Sequence, residues 1–160
     1  MRRRTKWLEA LLGRSDTDRE AVIAILQRRY VREKQQAMRY RQHADRMRYP
    51  KFRTALIRLA AEEESHAEKL ADKLSALGAG LPEVVPVHVA HESNSWHYLK
   101  TDLEEEERCA GELHEGLSGA VEFADVIELL ASIERDGSRH RAEIRDMLAR
   151  SDPQAVGPAA

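Results

Sequence analysis

The sequence has little cysteine, proline and glycine, and no long hydrophobic run. Cys109 is the only cysteine among 160 residues, so no disulfide can form within the chain and no pair of cysteines can hold zinc or iron. A single thiol fits a reducing cytoplasm, where we expect the protein to act. No run of about 18 apolar residues occurs, which predicts no membrane span. Five prolines and eight glycines, beside 34% charged residues, are typical of long amphipathic helices.

Interruptions of the helical pattern predict four helices in one domain. The first is capped by Asp16 or Thr17, and the third by Ser93, Asn94 or Ser95. A long stretch with two prolines separates the second helix from the third, whereas the other two connections are short. Two hairpins joined by a long crossover predict an all-α, antiparallel four-helix bundle. The predicted helices cover about 17–47, 50–77, 95–117 and 121–150.

Both ends of the chain are predicted to lie outside the bundle. Residues 1–14 are predicted to form a short basic amphipathic helix that docks on the bundle, on another subunit or on an anionic surface. The bundle is predicted to span residues 15–150, and residues 151–160 to form a disordered tail. Residues 1–60 carry a net charge of +11 and the remainder −13, which favours packing of oppositely charged helices. No nucleic-acid motif accompanies the basic part, so we expect no nucleic-acid partner.

Each predicted helix has an apolar stripe that a polar residue interrupts near its centre. A buried carboxylate is costly unless it is paired or bound to a metal ion. Three carboxylates and two imidazoles at one depth therefore predict a divalent cation, and this combination of ligands favours iron or manganese. Glu63 and His66, three residues apart, lie on one face of a helix and can converge on one ion. The interrupting residues are Glu33, Glu63, His66, Glu106 and His140.

These residues recur in the same order in the two halves of the sequence. Glu33 precedes Glu63-x-x-His66 by 30 residues. Glu106, on the predicted third helix, precedes Gly137-x-x-His140 by 31 residues. The repeat predicts a pseudo-twofold arrangement in which each helical hairpin supplies one half of the metal site.

The pattern resembles the ferritin-like di-iron carboxylate proteins, especially bacterioferritins and rubrerythrins. The resemblance extends over roughly residues 20–150. Two segments, Ala60-Ala-Glu-Glu-Glu-Ser-His-Ala-Glu-Lys-Leu70 and Ile133-Glu-Arg-Asp-Gly-Ser-Arg-His140, are similar to that family's second-helix and fourth-helix signatures. The resemblance implies a ferritin-like bundle that forms homodimers or larger oligomers. It also implies two metal ions, one bound by Glu33 and His66, the other by Glu106 and His140, with Glu63 bridging them.

The sequence departs from that family at Gly137, where the resemblance calls for a second bridging glutamate. Three carboxylates leave two divalent ions with a charge of +1, so the second ion is expected to bind more weakly. The predicted cofactor is two iron ions, or one if Gly137 disables the second site, with manganese as an alternative metal. Asp136 is either a substitute ligand or a residue that orients a histidine from outside the site. The missing side chain also leaves space for water, peroxide or a small anion.

Outside the predicted site, ordinary structural roles are expected. Tyr30 and Tyr40 lie on an apolar stripe and are expected in the core. Cys109 is expected to be a small buried residue. The solvated surface is expected to include Glu62 and the histidines His43, His88, His91, His97 and His114.

The favoured function is that of an iron-dependent oxidoreductase. The resemblance implies oxidation of Fe(II), as in a ferroxidase, or reduction of peroxide at a buried site of carboxylates and histidines. Rubredoxin-like cysteine pairs are absent, so the electron donor would be a separate protein. One alternative is iron storage in an oligomeric shell, which the lack of an extra terminal helix disfavours. The other is a degenerate bundle that acts as a binding or structural module, with Gly137 marking lost catalysis.

Overall fold

Four helices form the described part of the chain, and they confirm the predicted all-α bundle. The computed structural model describes residues 4–92, 94–112 and 123–154, with side chains from residue 18 onward except 111 and 112. No helix in these ranges combines the length and apolarity needed to cross a membrane. The helices are α1 (Arg4–Asp45), α2 (Pro50–Ala76), α3 (Ser95–Glu112) and α4 (Ala124–Arg150).

The helices pack side by side with antiparallel neighbours. α1 packs against α2 and α3, and α4 packs against the same two helices. Between neighbouring helices, the contacting residues increase in residue number along one helix as they decrease along the other, so the two helices run antiparallel. Examples are Tyr40–Glu106 and Arg32–Cys109 between α1 and α3, and Arg58–Glu143 and Lys73–Asp125 between α2 and α4.

The described part of the connection between α2 and α3, residues 77–92 and 94, runs along α1. Three side chains of α1, and that of Arg46 just after its end, donate hydrogen bonds to carbonyl groups of the connection at four successive points. These bonds satisfy backbone groups that have no partner of their own in regular secondary structure. The pairs are Gln27 with Gly80, Gln35 with Val85, Gln42 with Val87, and Arg46 with Val89.

Local sequence signals set the ends of α2 and α3. Pro50 opens α2 in its first turn, where a backbone N–H would have no helical partner. Gly78 follows the end of α2 with a φ of 66°, the left-handed conformation that favours glycine. Asn94, one of the three predicted caps, opens α3: its side-chain oxygen accepts a hydrogen bond from the His97 amide at 3.1 Å.

The N-terminal segment is not a separate helix. α1 is continuous from Arg4 to Asp45, so the predicted helix start at Asp16 or Thr17 is wrong. No proline lies in this range, and Gly13 costs only about 1 kcal/mol in a helix interior. A residue that could cap a helix therefore does not mark a helix start when the residues before it can also be helical. Position 93, positions 113–122 and the tail from 155 lie outside the described residues, so the helix limits and the tail predicted there stay predictions.

The core consists of two apolar clusters on either side of a polar centre. The predicted stripes of α2 and α4 are buried at every position, namely Phe52, Leu56, Leu59, Glu63, His66 and Leu70 in α2, and Val126, Leu130, Ile133, Gly137, His140, Ile144 and Met147 in α4. Tyr40 is fully buried as predicted, whereas Tyr30 is only partly buried at the edge of one cluster. Burial of these stripes is the main source of helix stability in a bundle. Leu56, Leu99 and Ile144 belong to one cluster, and Leu26, Leu70 and Leu130 to the other.

A buried histidine–aspartate pair lies beside the first of these clusters. His43 and Asp102 are both fully buried, so the expectation that His43 lies at the surface is wrong. His43 Nδ1 is 2.9 Å from Asp102 Oδ1, and its ring packs on Tyr98 with centroids 4.8 Å apart. Burial raises the pKa of Asp102, although the bond to His43 opposes the shift. His43 follows Tyr40 by three residues and shares its inward face, where Asp102 supplies a partner for its Nδ1.

Candidate metal centre

The five residues that interrupt the predicted stripes converge at the centre of the bundle. None of them is more than 6% exposed. They fall into two groups that share Glu63: Glu33 and His66 complete one, and Glu106 and His140 complete the other. Within each group, one ligand atom from each residue lies within 4.8 Å of the others, which is close enough to hold a metal ion. The structure therefore brings together all five residues that the sequence singled out.

Glu63 lies between the two histidines and faces one of them with each carboxylate oxygen. Its Oε2 is 3.2 Å from His66 Nδ1, and its Oε1 is 2.8 Å from His140 Nδ1. Glu33 Oε2 is 3.3 Å from His66 Nδ1. Glu106 Oε1 is 3.8 Å from His140 Nδ1. A carboxylate between two imidazoles can bridge two cations or serve either one alone.

The outer nitrogen of each histidine is held by a carboxylate from the opposite helix. His66 on α2 pairs its Nε2 with Asp136 Oδ2 on α4 at 3.0 Å. His140 on α4 pairs its Nε2 with Glu62 Oε2 on α2, also at 3.0 Å. Both contacts leave Nδ1 facing the cluster, and an outer carboxylate of this kind fixes the ring and raises its basicity as a ligand. Arg139 donates to both carboxylates at 2.8 Å.

Asp136 therefore supports the centre from outside. It belongs to neither group of potential ligands among the described residues. Of its two predicted roles, the geometry favours orientation of a histidine over substitution for the glutamate missing at Gly137. Glu62 was expected at the solvated surface, yet it has the matching role in the other half. The signal for it was the internal repeat, because Glu62 immediately precedes Glu63 as Asp136 precedes Gly137.

Both histidines hold a proton well above neutral pH when no metal is bound. Burial by itself would lower the pKa of His66, but the Glu33 and Glu63 carboxylates outweigh it and raise the pKa to about 10. Burial opposes the shift of His140 in the same way, and Glu106 and Glu63 raise its pKa to about 10. Two imidazolium groups thus offset the carboxylate charge. A divalent ion that binds here must displace these protons.

The two carboxylates that face His66 titrate differently. Burial and the neighbouring Glu63 carboxyl raise the pKa of Glu33 to about 7, against the opposing effects of His66 and Arg29. Burial acts in the same direction on Glu63, but hydrogen bonds with Glu33 and with both histidines hold its pKa below the usual range. Glu33 is therefore the more easily protonated of the two.

Tyr40 fixes the position of Glu106. Its hydroxyl donates a hydrogen bond to Glu106 Oε1 at 2.6 Å. Burial and the nearby carboxylates, Glu106 first among them, raise the pKa of Tyr40 well above its usual value. The phenol therefore keeps its proton and remains a donor. Tyr40 is a core residue, as predicted, with this second task added.

A small cavity opens beside Gly137, where the sequence left space for a missing side chain. Its volume of about 10 Å³ gives room for about one water molecule. A Cβ added at Gly137 would lie 3.6 Å from Glu106 Oε2 and 3.4 Å from Arg141 Nη1. These are ordinary contacts, so crowding does not require glycine here. The lining includes Arg29, Arg32, Gln36, Cys109 and the glutamates of the cluster.

Comparison with known proteins identifies the family. The rubrerythrin family model matches residues 24–148, well over half of the chain. The chain belongs to the rubrerythrin family. A crystal structure described as that of ferritin-like, diiron-carboxylate proteins from Bacillus anthracis str. Ames shares the fold, with a TM-score of 0.68 and 20% identity over 82% of this chain and 97% of that one. No curated protein matches the sequence.

In this rubrerythrin-family chain, the donor set fits a divalent metal ion. Three buried carboxylates meet two imidazoles that present Nδ1 to the same space. Without a cation or protons, such a concentration of buried negative charge would be strongly destabilising. Carboxylate oxygens with imidazole nitrogens suit iron, and the outer carboxylates supply the support that metal-bound histidines usually have.

Cys109 gives the rubrerythrin-family chain no reactive thiolate. It is half-buried, and Arg32 Nη1 donates to its sulfur at 3.2 Å. Burial raises the pKa of the Cys109 thiol, although Arg32 acts in the opposite direction. The thiol is therefore protonated at neutral pH, which fits a packing role and not that of a nucleophile.

Proposed function

We propose that the buried cluster binds iron and that the protein uses it to oxidise Fe(II) or to reduce hydrogen peroxide. The observation that carries this proposal is the matched orientation of two histidines. Each presents Nδ1 to Glu63, while a carboxylate from the opposite helix holds its Nε2. A histidine that serves only as packing does not need this support on both sides. Manganese is the alternative metal for the same donors.

The chain's own residues hold and orient the centre. Glu63 lies where it can bridge, and the other four residues of the two groups supply one donor each. Tyr40 keeps Glu106 in place through its hydrogen bond. The two apolar clusters on either side limit access of water to the polar centre. Bound iron would supply the electron transfer that no side chain in this cluster can perform.

The balance of the reaction sets what else is needed. Reduction of one hydrogen peroxide to two waters consumes two electrons and two protons. Two bound Fe(II) ions would supply these electrons and would be left as Fe(III). Return to Fe(II) requires a reductant, and with one cysteine in the chain we propose that a separate protein provides it. We also propose that the protein acts in the cytoplasm as a homodimer or a larger oligomer.

Stopped-flow oxidation of anaerobic Fe(II)-loaded protein tests the activity. We expect ferric absorbance to develop at least about tenfold faster than with the same Fe(II) and no protein, on mixing with peroxide or with air-saturated buffer. His140→Ala should lose the acceleration because one half of the centre loses its nitrogen donor.

Two other outcomes would change the proposed function. Iron that binds without any acceleration would contradict the oxidoreductase proposal and favour a binding or structural module. Many ferric ions retained per chain in a large assembly would favour storage.

A further inference from the structure

We infer that Arg29 makes the two halves of the centre unequal. One divalent ion is held tightly in the half that contains His140, and a second, exchangeable ion binds more weakly in the half that contains His66. This inference rests on the proposed function, and it assigns different tasks to the two halves. The first would hold a resident ion, and the second would receive substrate Fe(II).

Arg29 occupies the place of a cation beside the His66 half. It lies one helical turn before Glu33, and its Nε forms an ion pair with Glu33 Oε1. The side chains are only 11% and 4% exposed, so solvent screens this attraction poorly. No acceptor among the described residues is aligned for a hydrogen bond from Arg29 Nε. The contact between the two side chains is therefore a buried ion pair that places positive charge beside Glu33.

The net charge of the buried side chains balances one divalent ion but not two. Glu33, Glu63 and Glu106 together carry three negative charges when ionised, and the Arg29 guanidinium carries one positive charge. With neutral imidazoles, the net charge of −2 equals that of one divalent cation. A second divalent ion would leave the centre at +2, which is unfavourable in a poorly solvated site. Gly137 contributes to this imbalance because a glutamate there would add a further negative charge.

The other cations near the centre have partners of their own. Arg141 pairs with Glu134 at 2.8 Å, and Arg32 donates to Cys109. Arg58 and Arg139 bind the outer carboxylates at the protein surface. Among the described residues, Arg29 is thus the Lys or Arg side chain that forms an ion pair with a glutamate of the cluster. Arg29 lies beside the half of the centre that contains Glu33, where its positive charge disfavours a metal cation. The tight ion is therefore expected in the opposite half.

Anaerobic titration with Co(II) tests the inference without relying on activity. Calorimetry and the visible absorbance of Co(II) give the number of ions per chain and the affinity of each. We expect the wild type to bind a first ion tightly and a second at least about tenfold more weakly. Arg29→Gln should tighten the second step by about tenfold or more, whereas Arg29→Lys should behave as the wild type because it keeps the charge. Arg32→Gln is the matched control from the same helix and cavity, and it should leave the difference intact.

Separate variants keep the test decisive. Gly137→Glu adds a carboxylate on α4 and leaves the sequence of α1 unchanged. It should also tighten the second step, even if Arg29→Gln fails to fold. His66→Ala should spare the tight ion, and His140→Ala should lose it. Two equal steps in the wild type, or no tightening in Arg29→Gln and Gly137→Glu, would overturn the inference while leaving the proposed metal centre standing. No Co(II) binding at all would overturn the proposed function itself.

Discussion

Glu63→Ala is expected to abolish tight metal binding in both halves of the centre. Glu63 is the one residue that belongs to both groups of potential ligands among the described residues. Its removal takes away a donor for each ion and one of the negative charges that attract them. Loss of an outer residue alone costs about 10-fold to 100-fold in metal affinity, so we expect a loss of more than about 100-fold for Glu63→Ala.

Matched variants separate this effect from a general loss of structure. Glu64→Ala is the control, because Glu64 is the next residue on α2 but contacts Lys34 and Arg41 away from the cluster. It should change the affinity for Co(II) by less than about tenfold. Glu63→Gln keeps the shape of the side chain and should still lose tight binding. An affinity for Glu63→Ala within tenfold of wild type would show that the ions bind elsewhere.

Metal affinity is expected to rise steeply with pH between about 6 and 8. His66 and His140 have pKa values of about 10 in the metal-free protein, so both hold protons throughout this range. Each proton that the ion displaces makes the apparent affinity about tenfold stronger per unit of pH. We expect the release of about one to two protons per ion, and calorimetric titrations in buffers of different ionisation enthalpy would count them.

The stability of the metal-free protein should change with pH in the opposite direction. The folded-state pKa of both histidines lies above the unfolded value, so their contribution to stability is complete below about pH 6.5 and is lost as pH rises towards 10. The pKa of Glu33 is also raised, from 4.5 to about 7, so its protonated form contributes stability that is lost as pH rises through this range. Metal affinity that is independent of pH from 6 to 8 would contradict protonated histidines facing the cluster.

The sequence could reveal the centre because helical periodicity places residues in depth. A glutamate or histidine at the spacing of an apolar stripe must face inward, and the repeat of Glu33 and Glu63-x-x-His66 in the second half showed that five such positions belong together. This inference needed only the helical period and the cost of burying charge. The family comparison then matched most of the same part of the chain.

Other features depend on how the helices are rotated against each other, which periodicity does not fix. Glu62 and Asp136 lie at the edges of their stripes, and their reach to the opposite helix follows from packing. His43 is also next to a stripe, so its burial depended on a partner, Asp102, from another helix. Arg29 precedes Glu33 by four residues, a spacing that signals an ion pair but leaves its burial open.

Anomalous X-ray diffraction from Fe(II)-loaded crystals at the iron absorption edge would show directly where the protein binds iron. We expect an anomalous peak bounded by Glu63, Glu106 and His140, with a weaker peak or none beside Glu33 and His66. Crystals of Glu63→Ala grown and loaded in the same way should show neither peak. Iron bound at full occupancy elsewhere in the wild type, with no density at the cluster, would contradict a metal centre at this position.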